Sequence, residues 1–451
     1  MTNKTVGTGG DYATWYDAMT WLNTYLATPP MDDITITQIS DVTETSFSPA
    51  IIRSLNGYTL TITSNSPHHG RPDTGWKTTI NNTHSNSPLM LILTNGVVEI
   101  ENLHFYGAAV GWKAPVKLTA NSGCQMLIHD IIVYSDVLPA SGNYAAFFLN
   151  AGTGCAGFEV WNCIADILAN GSTRPFWLDV DEDMNIENCV AQVRNDTAST
   201  IGCFERQGGT GKGYFRNCVG ISTTSDPSIS GFRYWTATNG DGDGNAAWDA
   251  SADDFGTLGL TYYNNIVPGD EFEGTDYSDS DTYFVPRLDG SLGAGGVSVL
   301  ITDNVEDIRG LSRPLHGYYS VGPAQLLDVE KTVGSGGDYA TWKDALEDLT
   351  FPLTVNWKFE QISDVTETAP AALGATLNFG TCTVEITSDT PHEGRPDTGW
   401  ETEVQHTGVL FDFNEVQSGT LEVHGLRIVP TVVGHKPAIN VDAGSGATVR
   451  L

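Results

Sequence analysis

The chain has 451 residues, too many for one ordinary globular core, so two or more domains or one elongated repeat fold are expected. Its 22 Lys and Arg against 55 Asp and Glu give a formal net charge of −33, which excludes a phosphate backbone as partner and argues equally against anionic membrane surfaces. Hydrophobic residues make up 40% of the chain, so the acidity is not that of a disordered tail, and no apolar run reaches the roughly 18 residues of a membrane span.

The first residues lead straight into a folded-looking segment with no signal-peptide core, so release by cell lysis is expected rather than general secretion. After a Gly-Gly turn, Asp11 is placed to cap a helix, and Trp15, Ala18, Met19 and Leu22 follow at helical spacing before Pro29-Pro30. Strand-like stretches come next, Ile34 to Thr37, Tyr58 to Thr63, Leu89 to Leu93 and Val97 to Glu101, in which apolar and polar residues alternate.

From about residue 97 one phrase keeps returning: a strand, then Asn or Asp, then a small or apolar residue, then a second strand. Its pivots are Asn102, Asp130, Asn162, Asn188 and Asn217, spaced 26 to 32 residues apart. One supersecondary unit per period of that length is the mark of a stacked solenoid. Asn tolerates the left-handed backbone of a sharp corner, and Cys163, Cys189 and Cys218 beside the pivots form an internal stack of small apolar residues. The seven cysteines contain no CxxC pair, so neither a disulfide framework nor a zinc site has the right spacing.

The opening of the chain is duplicated. Lys4 to Trp15 returns as Lys331 to Trp342 with only Thr8 and Ser335 different. Gln38 to Thr45 returns at Gln361 to Thr368, Pro67 to Trp76 at Pro391 to Trp400, and Lys113 aligns with Lys436. The expected division is a complete module over 1–326 and, over 327–451, an incomplete second copy of its N-terminal part, truncated or completed by a partner chain.

These residues resemble the pectin-lyase-like superfamily, in its phage virion type. The Gly-Gly-Asp-Tyr-Ala-Thr-Trp opening is similar to the cap of many members, and the strand-Asn-Cys-strand phrase to their coils. Residues 245–325, with Asp281 to Gly296, Asp303 to Pro314 and Tyr319 to Ala324, resemble a common closing segment, although Gln325 stands where the usual final acid would be. The resemblance implies an all-β, right-handed parallel β-helix with a short N-terminal capping helix. It also implies homotrimers and virion or host-surface partners.

Two acidic stretches are candidate sites. Asp179, Asp181 and Asp183 are expected to share one face of a strand, as a calcium-binding or glycan-binding edge would need, against a plain solvated edge. Asn239, Asp241 and Asp243 with Gly244 follow a calcium-loop pattern, but Ala250 stands where the bidentate Glu belongs. The histidines, including His68, His69, His84, His104 and His129, form no HxH or HExxH. The Arg71 to Trp76 phrase reads as a rigid turn. No catalytic residue, metal site or cofactor is assigned. Three functions stay open: a structural or adhesive virion protein (tail spike, tail fibre or capsid decoration) meeting a host glycan, a polysaccharide depolymerase, and a bacterial surface adhesin.

Overall fold

The computed structural model describes residues 1–46, 50–81, 88–108, 115–137, 144–168, 173–194, 201–223, 229–236, 238–253, 262–275, 277–278, 283–287, 292, 307–309, 322, 328–349, 353, 355–371, 373, 377–391, 398–434 and 436–451. The chain divides into two units, Met1–Pro314 with Tyr318–Gln325, and Leu315–Gly317 with Leu326–Leu451.

The first unit is a parallel β-solenoid with three sheets. Sheet 1 has nine strands, from Thr2–Val6 to Gly240–Asp243; sheet 2 has nine, from Val42–Glu44 to Tyr262–Tyr263; sheet 3 has seven, from Ile51–Ser54 to Ile229–Arg233. One coil takes a strand from each in turn. Cys124–His129 lies in sheet 1, Ile132–Ser135 in sheet 2 and Tyr144–Ala151 in sheet 3, after which Gly157–Trp161 pairs in parallel with Cys124–His129 one level on. Alternation decides what is buried: in Cys124–His129 the residues Cys124, Met126 and Ile128 point inward.

Like stacks on like, because register repeats from coil to coil. Phe147, Phe176, Phe204 and Phe232 form an internal ladder with ring centroids 4.6, 4.9 and 5.1 Å apart. Those spacings match the ~4.8 Å between strands, and each ring contributes ~1.5–3 kcal/mol by burial. The corner between sheets 1 and 2 is made where the sequence pattern placed it. Asn102, Asp130, Asn162, Asn188 and Asn217 all have φ between 52° and 56°. Their side chains link coils as well, Asn162 donating to Asp130 at 3.0 Å and Asn217 to Asn188 at 3.1 Å. Cys163, Cys189 and Cys218 are buried beside this row with their thiols in mutual contact. All seven cysteines are free.

The helix Trp15–Tyr25 closes the first coil and buries the expected stripe of Trp15, Ala18, Met19 and Leu22. Its cap differs from expectation. Thr14, not Asp11, accepts from the N–H of Asp17, while Asp11 accepts from the Thr5 N–H at 2.9 Å and shapes the preceding turn. The Trp15 N–H donates to the buried carboxylate of Glu44. The Trp15 indole donates to Thr78 at 2.9 Å, and Thr78 to Gln38 at 3.3 Å. The Arg71 to Trp76 phrase is the turn expected of it, held by Trp76 Nε1 donating to Asn65 at 2.7 Å.

The closing segment departs from a simple end cap. Asn245–Ala247 and Tyr262–Tyr263 add the last two strands of sheet 2, and the described residues from Ile266 onward lie along its outer side. Ile132, Ile164, Val190 and Val219, in register, form a second apolar cluster with Phe272, Phe284, Leu292 and Ile308. Tyr277 stacks on Tyr134 at 3.6 Å, with its hydroxyl 2.8 Å from His104 Nε2. Tyr283 donates to Asp166 at 2.8 Å, and Gln192 donates to the Thr275 carbonyl at 3.0 Å. Parallel sheets are stable when both faces are covered, and this segment covers the second face of sheet 2. Residues 288–291, 293–306 and 310–321, which carry much of the resemblance there, lie outside the described residues, as do Lys113, His84 and 392–397.

The second unit has a five-stranded parallel sheet from Val329–Val333 to Ile439–Arg450 and a three-stranded one of Val365–Glu367, Glu401–Val404 and Arg427–Pro430. Its helix Trp342–Glu347 repeats the cap: Thr341 accepts from the Asp344 N–H, the Trp342 N–H donates to Glu367, and the Trp342 indole to Thr402 at 3.1 Å. The duplicated phrases are therefore the parts that start a coil stack.

Candidate functional site

The outer face of sheet 3 carries one column in which Lys117, Phe148, Trp177, Glu205 and Arg233 follow each other in register. Strand spacing sets them ~4.8 Å apart, so their side chains are obliged to interact. The Lys117 ammonium lies 4.9 Å from the Phe148 ring, and Phe148 meets Trp177 at 5.3 Å. Arg174 lays its guanidinium over Trp177 at 4.5 Å, and Arg233 does so over Tyr234 at 4.2 Å. Each such contact contributes ~0.5–2 kcal/mol.

Glu205 holds this arrangement together. It is 2% exposed and accepts from Arg174 Nε at 2.6 Å, Arg233 Nη1 at 2.9 Å and the Gly202 N–H at 2.9 Å. Gly202 is required by packing, since a Cβ there would lie 2.5 Å from the Cβ of Arg233. The column, with Arg174 beside it, thus sets three cations against one carboxylate, on a chain whose net charge is −33. Tyr234 is 58% exposed at its end, and the Trp177 Nε1 donor is buried without an acceptor.

The next column of the same face contains Asn150 and Asp179, with Asn150 Nδ2 donating to Asp179 at 3.0 Å. Burial raises the Asp179 pKa from its ordinary value and the charge of Asp181 adds to this, while Arg206 works against them.

The expected alignment of Asp179, Asp181 and Asp183 on one strand face does not form. The strand Thr173–Val180 ends after Asp179, and the chain turns through Asp181 and Glu182 as it passes to sheet 1. Asp183 is instead used by the next coil, accepting from the Lys212 N–H at 2.9 Å and the Tyr214 hydroxyl at 3.2 Å. A turn is needed here because the coil must change sheets, which strand periodicity alone does not reveal. Asn239, Asp241 and Asp243 do not form a calcium loop either. Gly240–Asp243 is a strand of sheet 1 in register with Gly213–Arg216, and Asn239 accepts from the Thr236 N–H at 2.8 Å. Among the described residues, no three carboxylate, imidazole or thiol groups are grouped to hold a metal ion.

A second cluster lies on the outer face of sheet 1. His129 stacks on Trp161 at 4.3 Å, with Nδ1 2.8 Å from Asp130 and Nε2 3.6 Å from Glu99 and 3.9 Å from Glu101. Burial alone would lower its pKa, but the surrounding carboxylates, Asp130 foremost, raise it to about 9. His129 is thus an imidazolium locked by acids, a structural cation.

Reading the sequence for acids missed the sheet 3 column. Its signal was present, since Lys117, Phe148, Trp177, Glu205 and Arg233 recur every 28 to 31 residues, the length of one coil. Comparison with family models, with curated proteins and with solved structures gives no match for this chain.

Proposed function

We propose that this chain is a structural and adhesive protein, a solenoid that meets an acidic polysaccharide through the outer face of sheet 3. The observation that carries the reading is the concentration of Lys117, Arg174 and Arg233 with Phe148, Trp177 and Tyr234 on one face of an otherwise acidic chain. Aromatic rings offer a flat surface to the apolar face of a sugar, and guanidinium groups offer paired donors to its carboxylate. The setting we propose is a virion, as a tail spike, tail fibre or capsid decoration, with other virion proteins or further copies of the chain as neighbours. The likeness of the coils and cap to pectin-lyase-like helices supports that setting, and a bacterial surface adhesin is its alternative.

Affinity electrophoresis through gels holding polygalacturonate, alginate or neutral dextran tests the binding. Retardation by the two acidic polymers alone, weakened by added salt because exposed charges are screened, is expected. Equal mobility in all three gels would refute it.

One observation favours a second reading, a depolymerase. Asp179 borders the same face, and burial raises its carboxyl pKa from the ordinary value, the direction a general acid needs. Chain shortening abolished by Asp179→Asn, with binding kept, would establish it.

A further inference from the structure

Beside the capping helix of the first unit lies an open groove of about 470 Å³, between residues 11–13 and the helix face of Asp17, Thr20, Trp21 and Thr24. Its apolar wall is aromatic. Tyr12 stacks with Trp21 at 5.8 Å, and Trp21 with Tyr25 at 5.1 Å. The Lys4 ammonium lies 5.7 Å from the Trp21 ring and 6.0 Å from Tyr12, and is neutralised by Asp11 at 3.2 Å.

The second unit shows what a cap needs without this groove. Tyr339 stands in the place of Tyr12 and Asp344 in that of Asp17, but Glu347 and Asp348 replace Thr20 and Trp21. There the Tyr339 hydroxyl donates to Asp348, and Lys343 pairs with Glu347 at 2.6 Å. The Thr341 cap, the buried Trp342 and the bond to Glu367 are retained, on a shorter helix, Trp342–Glu347, that ends just before Asp348. A cap of this design therefore forms without an aromatic at position 21. The aromatic groove is an addition to it.

We propose that this groove binds a pyranose that carries no acid group, with amino sugars bound most tightly. The sugar lies against the aromatic wall that Tyr12 and Trp21 give the groove, and its hydroxyls meet Asp17, Thr20 and Thr24, a small set of polar groups beside an apolar wall. With Asp11 paired to Lys4, the carboxylate of Asp17 is the one that repels a sugar carboxylate and attracts a protonated amine, which the aromatic faces also favour. The preference is opposite in charge to that of sheet 3, and the two sites stand or fall separately.

Saturation-transfer NMR on the full chain with glucosamine, N-acetylglucosamine and glucuronate tests this, in the parent protein and in Trp21→Asp and Thr24→Arg. Trp21→Asp copies the residue at the helix end of the second unit, and Thr24→Arg places a cation at an exposed helical position, where unchanged circular dichroism is expected. The expected result is transfer to both glucosamine and N-acetylglucosamine, glucosamine binding more tightly. Glucosamine should bind about tenfold more weakly in each variant, a change of one decade in Kd. Any glucuronate signal, which sheet 3 would give, should be untouched by Trp21→Asp. Glucosamine signals that persist at parent strength in both variants, or their absence from the parent protein at tens of millimolar, would overturn the proposal.

Discussion

The backbone N–H of Trp15 donates to the carboxylate of Glu44, which is 1% exposed, and Trp342 makes the same bond to Glu367 in the second unit. Each pair fixes the start of a helix to the sheet beneath it. Burial raises both carboxyl pKa values to about 7, against the helix N–H groups, which lower them. A folded pKa above the unfolded 4.5 means that the native state holds the extra proton. The stabilisation is complete below about pH 4.5 and is lost as pH rises through about 7. The difference in urea midpoint between parent and Glu44→Gln should therefore change between pH 4.5 and 8, the parent losing ground as pH rises. A difference constant with pH would contradict the assignment.

His129 has the same sign in another window. Its folded pKa of about 9 stands above the ordinary 6.5, so its stabilisation is full below about pH 6.5 and disappears as pH rises through about 9. An NMR titration of the His129 ring should show a midpoint near 9, moving down in Asp130→Asn.

The phenylalanine ladder gives a test of packing. Phe176 sits between Phe147 and Phe204 with no exposure, so Phe176→Ala leaves a cavity that the stacked coils on either side cannot close. A loss of ~3–5 kcal/mol in chemical denaturation is expected.

Much of this architecture was legible in the sequence because solenoid physics is periodic. The Asn pivots need a left-handed backbone at each corner, and the alternating strands need one buried face. Both leave a mark that repeats once per coil. What was not legible came from breaks in the period. Asp179, Asp181 and Asp183 follow strand spacing in sequence, yet the chain turns between the first and the last. Nothing local in residues 245–325 shows that Tyr277 meets Tyr134, Tyr106 and His104 more than 140 residues earlier. The outward Ile132, Ile164, Val190 and Val219 were the available hint, since a sheet apolar on both faces requires a cover.

Tyr277 is the residue that most directly tests that cover. Its hydroxyl meets buried His104, which burial keeps neutral. Tyr277→Phe leaves that imidazole nitrogen unpartnered, at a cost of ~1–3 kcal/mol. Tyr277→Ala also removes the ring stacked on Tyr134, so hydrogen exchange in His104–Gly107 and Ile132–Ser135 should accelerate more than in Tyr277→Phe. Equal protection in all three proteins would show that the segment is not held there.

For glycan adhesion, the variants must leave Glu205 paired, because stripping Arg174 or Arg233 from a buried carboxylate costs ~3–5 kcal/mol of fold stability by itself. Lys117→Glu with Tyr234→Ala meets that condition, since neither side chain bonds Glu205. The decisive measurement is the isotherm of this double variant for polygalacturonate at low salt, beside the parent and Trp21→Asp. Adhesion through sheet 3 requires at least about tenfold weaker binding in the double variant, parental affinity in Trp21→Asp and, in the double variant, a circular dichroism spectrum at the assay temperature that matches the parent's. Parental affinity in the double variant would contradict it.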